Sequence, residues 1–389
     1  ENRAYDCQPV GRQPLVPDVA QVPTASAPRS TSNQAFCALE EQNAQCLAAM
    51  NASLANLLDQ EAEAVAQQRG GHLCSQSGST ALSSELLELS ATHQRNAAAA
   101  NSLEAFLRLV EAEAGADNLE LRRKELDLML ADITVLLEQG LLTPISKAEV
   151  EAQRLELWHR QVDLQATIQK LNGQLEELLG VEIADEARFW PVASLLVTAE
   201  TPDRTAAVQL ALTHRADLAA IRLAASTSGA ESTAAARTIL QLTGAGLGMA
   251  PSTPCCLSLL LLAHGGNCED AVREQQLDQL RSDRERSIRQ ETRLAAALVE
   301  TRLEQIGMTK RRLEFARQHL KASEERQAAA ANAPLAVRKA RLDTFAIEQD
   351  LLHDVIEWKL AIVKLKEAQG LLAVECGYDN ASHVSYCCP

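Results

Sequence analysis

The chain predicts an all-α fold made of two repeated long coiled-coil hairpins with shorter helices and little or no β-structure. Three observations carry that prediction. Val150, Leu157, Leu164, Leu171 and Leu178 recur every seven residues, with Ile168 and Leu175 at the alternate seam positions, the stripe that a helix buries in a coiled coil. Helical patterning runs for tens of residues on both sides of residues 138–147 and stops only there. Pro144 and Gly180 have counterparts at Pro334 and Gly370, both displaced by 190 residues, as a duplicated hairpin requires. Seam positions carry across as well: Leu157 maps to Ile347, Ile168 to Trp358 and Leu175 to Leu365, although Leu164 maps to Asp354.

Taken in order, residues 1–32 hold Pro9, Pro14, Pro17, Pro23 and Pro28 among Ser and Thr and read as an extended tether. A first helical repeat covers residues 33–200. Within it, Leu39, Leu47, Leu54 and Leu57 predict one helix from Phe36 to about Gln68, and Gly and Ser at residues 70–80 end it with a loop. A long arm over residues 81–142 keeps the seven-residue step at Leu119, Leu126 and Ile133, with Leu130 and Leu137 interleaved. The tip lies at residues 139–147: Gly140 can leave helical geometry, Pro144 suits a first helical turn, and Thr143 or Ser146 can cap it. The returning arm runs over residues 146–179 to Gly180, and Pro191 and Pro202 interrupt residues 181–203 without strong strand character.

The second repeat covers residues 201–373. It is expected to hold a helix over residues 204–242, a Gly, Pro and Cys loop at 243–268, and an arm over 269–331 with Val299, Ile306, Leu313 and Leu320 in step. Its reversal lies at residues 331–336, and a final helix carries Ile347, Leu351, Trp358 and Leu365 to Gly370. Residues 374–389 form a Cys-containing tail.

Composition narrows the function classes. Aromatic residues make up 3% of the chain, too few for ordinary large cores, and a net charge of −15 argues against nucleic acid or an anionic membrane surface as partner. No apolar run reaches the length of a spanning helix; the most hydrophobic stretch covers only residues 256–263. The first residue is not Met and no charged-then-apolar leader is seen, so a signal peptide is expected to have been removed or left out. Cys7, Cys37, Cys46, Cys74, Cys255, Cys256, Cys268, Cys376, Cys387 and Cys388 cluster at the termini and in two loops. Disulfides in an oxidising compartment account for that distribution best, while the vicinal pairs also permit metal binding or free thiols. His159, His214, His264, His319 and His353 lie apart with no metal-ligand spacing, and Gly244, Gly246 and Gly248 lack the strand context of a phosphate loop. No cofactor, metal or catalytic constellation is expected. Trp158 and Trp358 read as packing residues, and the sequons at Asn51 and Asn380 as empty pattern.

Two motifs resemble the TolC-like outer-membrane efflux protein family. Gly140-Leu141-Leu142-Thr143, followed by Pro144 and then Glu149-Val150, resembles the family's hairpin tip. Thr213-His214-Arg215-Ala216-Asp217-Leu218-Ala219-Ala220 resembles its N-R-P-D-L-x-A-A helix start, with a first-repeat counterpart at residues 41–49. The resemblance implies an α-barrel subunit that forms a homo-oligomer, with Gly140, Leu141, Leu142, Thr143 and Pro144 meeting a periplasmic adaptor or another envelope protein. It also implies an equatorial helix set by His214, Arg215, Asp217 and Leu218. The chain departs from the family in its loops: residues 70–80 and 243–268 show no alternation suited to membrane-spanning strands. Cys74, Cys255, Cys256 and Cys268 are expected to staple that end instead. Only the first tip suits adaptor contacts, because Arg338, Lys339 and Arg341 follow the second.

The expected function is that of a secreted subunit in an oligomeric helical conduit of the bacterial cell envelope, serving export or efflux. The alternative is a structural or surface ring that kept the fold and lost the membrane barrel. In either case the protein is not an enzyme, and it would lie in the periplasm, at the outer membrane or on the cell surface.

Overall fold

A computed structural model describes residues 35–67, 77–183, 187–198, 200–226, 268–329 and 334–378. In order, the elements are β1 (Ala35–Glu40), α1 (Glu41–Met50), α2 (Ser53–Gln67), α3 (Ser77–Glu138) and α4 (Lys147–Leu179). They continue with β2 (Ala187–Val192), α5 (Arg204–His214), α6 (Ala216–Ser226), α7 (Cys268–Ala329), α8 (Pro334–Gln369) and α9 (Leu371–Val374). Among the described residues the fold is all-α apart from one strand pair. The duplication is visible in helix length: α3 and α7 each contain 62 residues and are displaced by 191. At ~1.5 Å per residue each spans about 90 Å.

The reversals are built as their residues dictate. Gly140 adopts φ 71° after α3, a left-handed conformation that costs a side-chain-bearing residue energy. Ser146 caps α4: its hydroxyl accepts the Glu149 N–H at 3.2 Å, and the Glu149 carboxylate accepts the Ser146 N–H at 3.1 Å, a reciprocal capping box. Pro144 was expected in the first helical turn, but α4 begins three residues later, so Pro144 shapes the connection instead. Its counterpart Pro334 does occupy the first position of α8, where no N–H is needed.

The described residues gather into two compact units, each drawing on both halves of the sequence. The first takes in β1, α3 from Asn101, α4, β2, α7 from Leu298 and α8 to Val363. Its core is the predicted seam. Val150, Leu157, Ile168, Leu171 and Leu175 are buried on α4, Val299, Ile306 and Leu313 on α7, and Leu351 and Trp358 on α8. Leu126, Met129 and Ile133 of α3 pack with Val150, Leu157 and Leu335. Leu335 opens α8, so both reversals lie at the same end of this unit. Trp158 departs from its expected packing role, being 60% exposed, because it falls outside the heptad seam.

β1 and β2 pair in parallel, with Ala35 opposite Ala187 and Leu39 opposite Pro191. Both strands refine the sequence reading, which placed residues 36–40 in a helix and found no strong strand character in residues 181–203. The Phe36 and Trp190 rings meet edge to face at 5.7 Å. Buried Asn172 of α4 accepts the Phe189 N–H at 2.7 Å, tying β2 to the hairpin. These long-range contacts outweigh local helical propensity.

The second unit takes in Gln45–Ala100, Pro202–Ala297 and the chain from Lys364. Leu82 and Leu86 of α3 pack with Ile221 and Ala224 of α6 and Leu277 of α7, while Ala211, Leu218 and Ile288 join α5, α6 and α7. The single helix expected from residue 36 to 68 is divided at Asn51-Ala52, and the one expected from 204 is divided at Arg215. The two breaks match in position, so the first-repeat counterpart of the Arg215 motif is Asn51-Ala52-Ser53-Leu54, not residues 41–49, which lie wholly inside α1. Residues 227–242 lie outside the described residues.

Cys46 and Cys376 are disulfide-bonded across 330 residues, and Cys37 is disulfide-bonded as well. Cys7, Cys74, Cys255, Cys256, Cys387 and Cys388 lie outside the described residues, as do the side chain of Cys268, the tether, both loop interiors and the tip residues 330–333. The proposed staple of Cys74, Cys255, Cys256 and Cys268 falls there too.

Candidate functional sites at the hairpin end and the second helix break

At the hairpin end of the first unit, the predicted tip residues lie together in the connection between α3 and α4. Leu142 is fully exposed and Leu141 nearly half so, while Thr143 is partly covered. Gly140, at a φ of 71°, takes the connection out of helical geometry. Two unpaired leucines at a turn cost solvation, which a partner surface would recover.

Beside this tip runs a groove of about 600 Å³. Leu126, Met129, Leu157 and Leu342 form its apolar floor, and Arg122, Glu156, Arg160 and Lys339 part of its charged rim. The start of α8 is fixed by ion pairs that sequence reading missed. Arg338 donates to Glu125 at 2.9 Å and to Asp132 at 3.1 Å; Arg341 donates to Glu125 at 3.3 Å and to Glu324 at 2.8 Å. Glu125 is buried. These two arginines, which in the sequence only mark the second tip as different from the first, are thus spent inside the hairpin pair, and of the three basic residues Lys339 lines the groove.

Exposed apolar residues continue along the helices in the same step. Leu121, Leu128 and Val135 of α3 and then Leu142 are spaced by seven residues, and Leu155, Trp158 and Val162 form a stripe on α4. Met308 and Phe315 repeat the spacing on α7. Each is a second seam opposite the buried one.

In the second unit, the Arg215 motif forms a charged cluster at the break between α5 and α6. Arg215 grips the Asp217 carboxylate with two hydrogen bonds, at 2.9 and 2.7 Å, and donates to the Ala368 carbonyl at 3.3 Å. Arg284 of α7 donates to Asp217 at 2.9 and 2.5 Å, and Glu291 accepts from both arginines. Asp217 also accepts the Leu218 N–H at 2.9 Å. Burial acts to raise the Asp217 pKa, but the hydrogen bonds and charges of Arg215 and Arg284 outweigh it and hold the carboxyl well below its usual range. Leu218 is buried beneath the cluster. The His214 carbonyl lies 2.9 Å from where a side chain on Gly370 would begin, so only glycine fits at that φ of 74°. His93 of α3 feels the same charges: burial lowers its pKa, Asp217 opposes that, and Arg215 and Arg284 reinforce it.

The site thus brings Arg215, Asp217 and Leu218 together as the motif suggests, while Arg284, Glu291 and His93 come from distant helices. Among the described residues, no group of three or more His, Cys, Asp or Glu side chains could hold a metal ion. His159 and His353 pair instead with Asp163 and Glu111. No helix among the described residues is long and apolar enough to cross a membrane.

Compared by sequence, the chain matches no protein-family model and no curated protein. Its three-dimensional fold does have counterparts. The Campylobacter jejuni CmeC outer membrane channel is similar over 96% of this chain and 97% of its own, with a TM-score of 0.60 at 10% identity. The outer membrane protein VceC of Vibrio cholerae is similar over 85% and 96%, with a TM-score of 0.59 at 15% identity. The Neisseria gonorrhoeae MtrE outer membrane channel gives 95% and 97%, with 0.54 at 12% identity. The chain therefore has the fold of TolC-like outer-membrane channel proteins.

Proposed function

We propose that this protein is a subunit of an oligomeric helical conduit in the bacterial cell envelope, serving export rather than any chemical conversion. The observation that carries this reading is the second apolar seam, Leu121–Leu128–Val135 on α3 with Leu155, Trp158 and Val162 on α4, on a fold shared with outer membrane channels. Burying a leucine contributes roughly 2 kcal/mol, so such a row favours association with further copies edge to edge. The tip residues Gly140, Leu141, Leu142, Thr143 and Pro144 are then the contact for an elongated periplasmic adaptor, with the adjoining groove receiving its side chains. The disulfides suit an oxidising compartment such as the periplasm.

Particle imaging of the purified chain tests the conduit: a ring with an open lumen is expected. A closed or solid ring would favour a scaffold role instead. Leu142→Glu is expected to abolish adaptor capture while the ring persists, because Leu142 touches no part of its own core. Unchanged capture would remove the tip from the interface.

A further inference from the structure

The duplication allows one place in the fold to be compared with its own copy. In the first half α1 meets α3 at Ala44 and Ser102, where the Ser102 hydroxyl donates to the Ala44 carbonyl at 2.9 Å. Ala44 and Ser102 are both buried there, so two small side chains meet. In the second half α5 meets α7, with Ala207 in the place of Ala44 and Arg293 in that of Ser102. Here the helices leave a cavity of about 310 Å³ lined by Arg204, Thr205, Val208, Gln209, Arg289 and Arg293.

Arg289 and Arg293, with Arg204 beside them, line this cavity, and among the described residues no carboxylate does, in a chain whose net charge is −15. Arg289 donates to Glu285 at 3.2 Å. Glu285 is also held by Arg222 at 2.9 Å, so its charge is shared. No ion pair to Arg293 occurs among the described residues. The first-turn N–H groups of Thr205 and Ala206 are already taken by Asp203, at 2.7 and 3.3 Å, so attraction to an anion would come from the side chains and not from the helix end.

We propose that this cavity binds a phosphate-bearing ligand. Arg289 and Arg293 lie one turn apart on α7 and present forked donors, the geometry that suits phosphate oxygens. Thr205 and Gln209 add neutral donors, and buried Val208 supplies an apolar wall beside the headgroup. The phosphate is carried either by a free small molecule or by a lipid. This site is independent of the conduit reading.

The test uses the full-length purified protein. Inorganic phosphate, titrated against chloride at matched ionic strength, and vesicles of phosphatidylcholine with or without phosphatidic acid are offered to native protein, to Arg289→Gln/Arg293→Gln and to Arg289→Lys/Arg293→Lys. Native protein is expected to bind phosphate saturably, float with the phosphatidic acid vesicles, or both. The glutamine variant loses at least tenfold in affinity, and the lysine variant falls between because it keeps charge but not the fork. Flotation without binding of free phosphate assigns the site to a lipid headgroup; free phosphate binding without flotation assigns it to a soluble ligand. Absence of both, or equal binding by native and glutamine-variant protein, overturns the proposal. So does loss of the oligomer in the glutamine variant without phosphate present, since the arginines would then serve a second copy.

Discussion

The two helix breaks, at Asn51-Ala52 before α2 and at Arg215 before α6, occupy matching places in the two halves yet are secured by different chemistry. Near the first, Cys46 of α1 is bonded to Cys376. Arg95 of α3 pairs with Asp59 of α2 and lies 4.3 Å from the centre of the Tyr378 ring. The segment after α8 is also held by Gln45, which donates to the Leu372 carbonyl at 2.9 Å, and by Asn96, which accepts the Leu372 N–H at 3.1 Å. Around the second break no cysteine takes part among the described residues, and two arginines converge on one carboxylate. A covalent cross-link ignores pH but yields to reductant; an ion-pair cluster does the reverse. One duplicated corner has thus acquired two independent sensitivities.

The largest effect should follow from breaking the covalent corner. Cys46→Ser/Cys376→Ser is expected to lower stability by about 4 kcal/mol, because the bond closes a very long loop. Denaturant unfolding measures it, and reductant should add little further loss at this corner.

Removing the carboxylate at the other corner comes next. Asp217→Ala leaves Arg215 and Arg284 facing each other in a half-buried site and should cost about 3 kcal/mol, the same amount with and without reductant. If Asp217→Ala and the double cysteine variant show the same reductant dependence, the two corners are not independent.

Acid sharpens the contrast further. The folded-state pKa of His93 lies below its ordinary value, so the unfolded chain takes up this proton first as pH falls through about 6.5. Stability from this group is present above that pH and declines below it. His93→Gln should flatten the stability profile between about pH 7 and pH 5, and an unchanged slope would separate His93 from the cluster. Asp217 acts lower still: its contribution is present above about pH 3.9 and is lost only as pH falls through its depressed folded value.

The smallest expected effect lies at the tip. Ser146→Ala removes one half of the capping box and should cost about 1 kcal/mol, read as a shift in the denaturation midpoint.

Much of this architecture is legible in the sequence because it is periodic. Val150, Leu157, Ile168 and Leu175 could be assigned to a buried seam from spacing alone, and Ser146 with Glu149 announces a helix start. The strand pair was not legible. Phe36-Cys37-Ala38-Leu39 carries no alternation, and Pro191 argues against a strand until its partner is known, since a two-stranded sheet tolerates proline at an edge. The site divides in the same way. Arg215 and Asp217 lie two residues apart and form part of a readable motif, whereas Arg284 and Glu291 reach them from 67 and 76 residues away. Trp158 was misjudged because an aromatic residue in a helical run reads as core unless its place relative to the seam is checked.

The account rests on the outward apolar seam being covered by further copies of the chain. The most direct measurement is the mass of the purified full-length protein in solution by light scattering, alongside Leu128→Glu/Trp158→Glu. A discrete oligomer that the double substitution reduces to single chains, with helicity unchanged, is the predicted result. A native protein that is already a single chain at micromolar concentration, with both seams exposed, would contradict it.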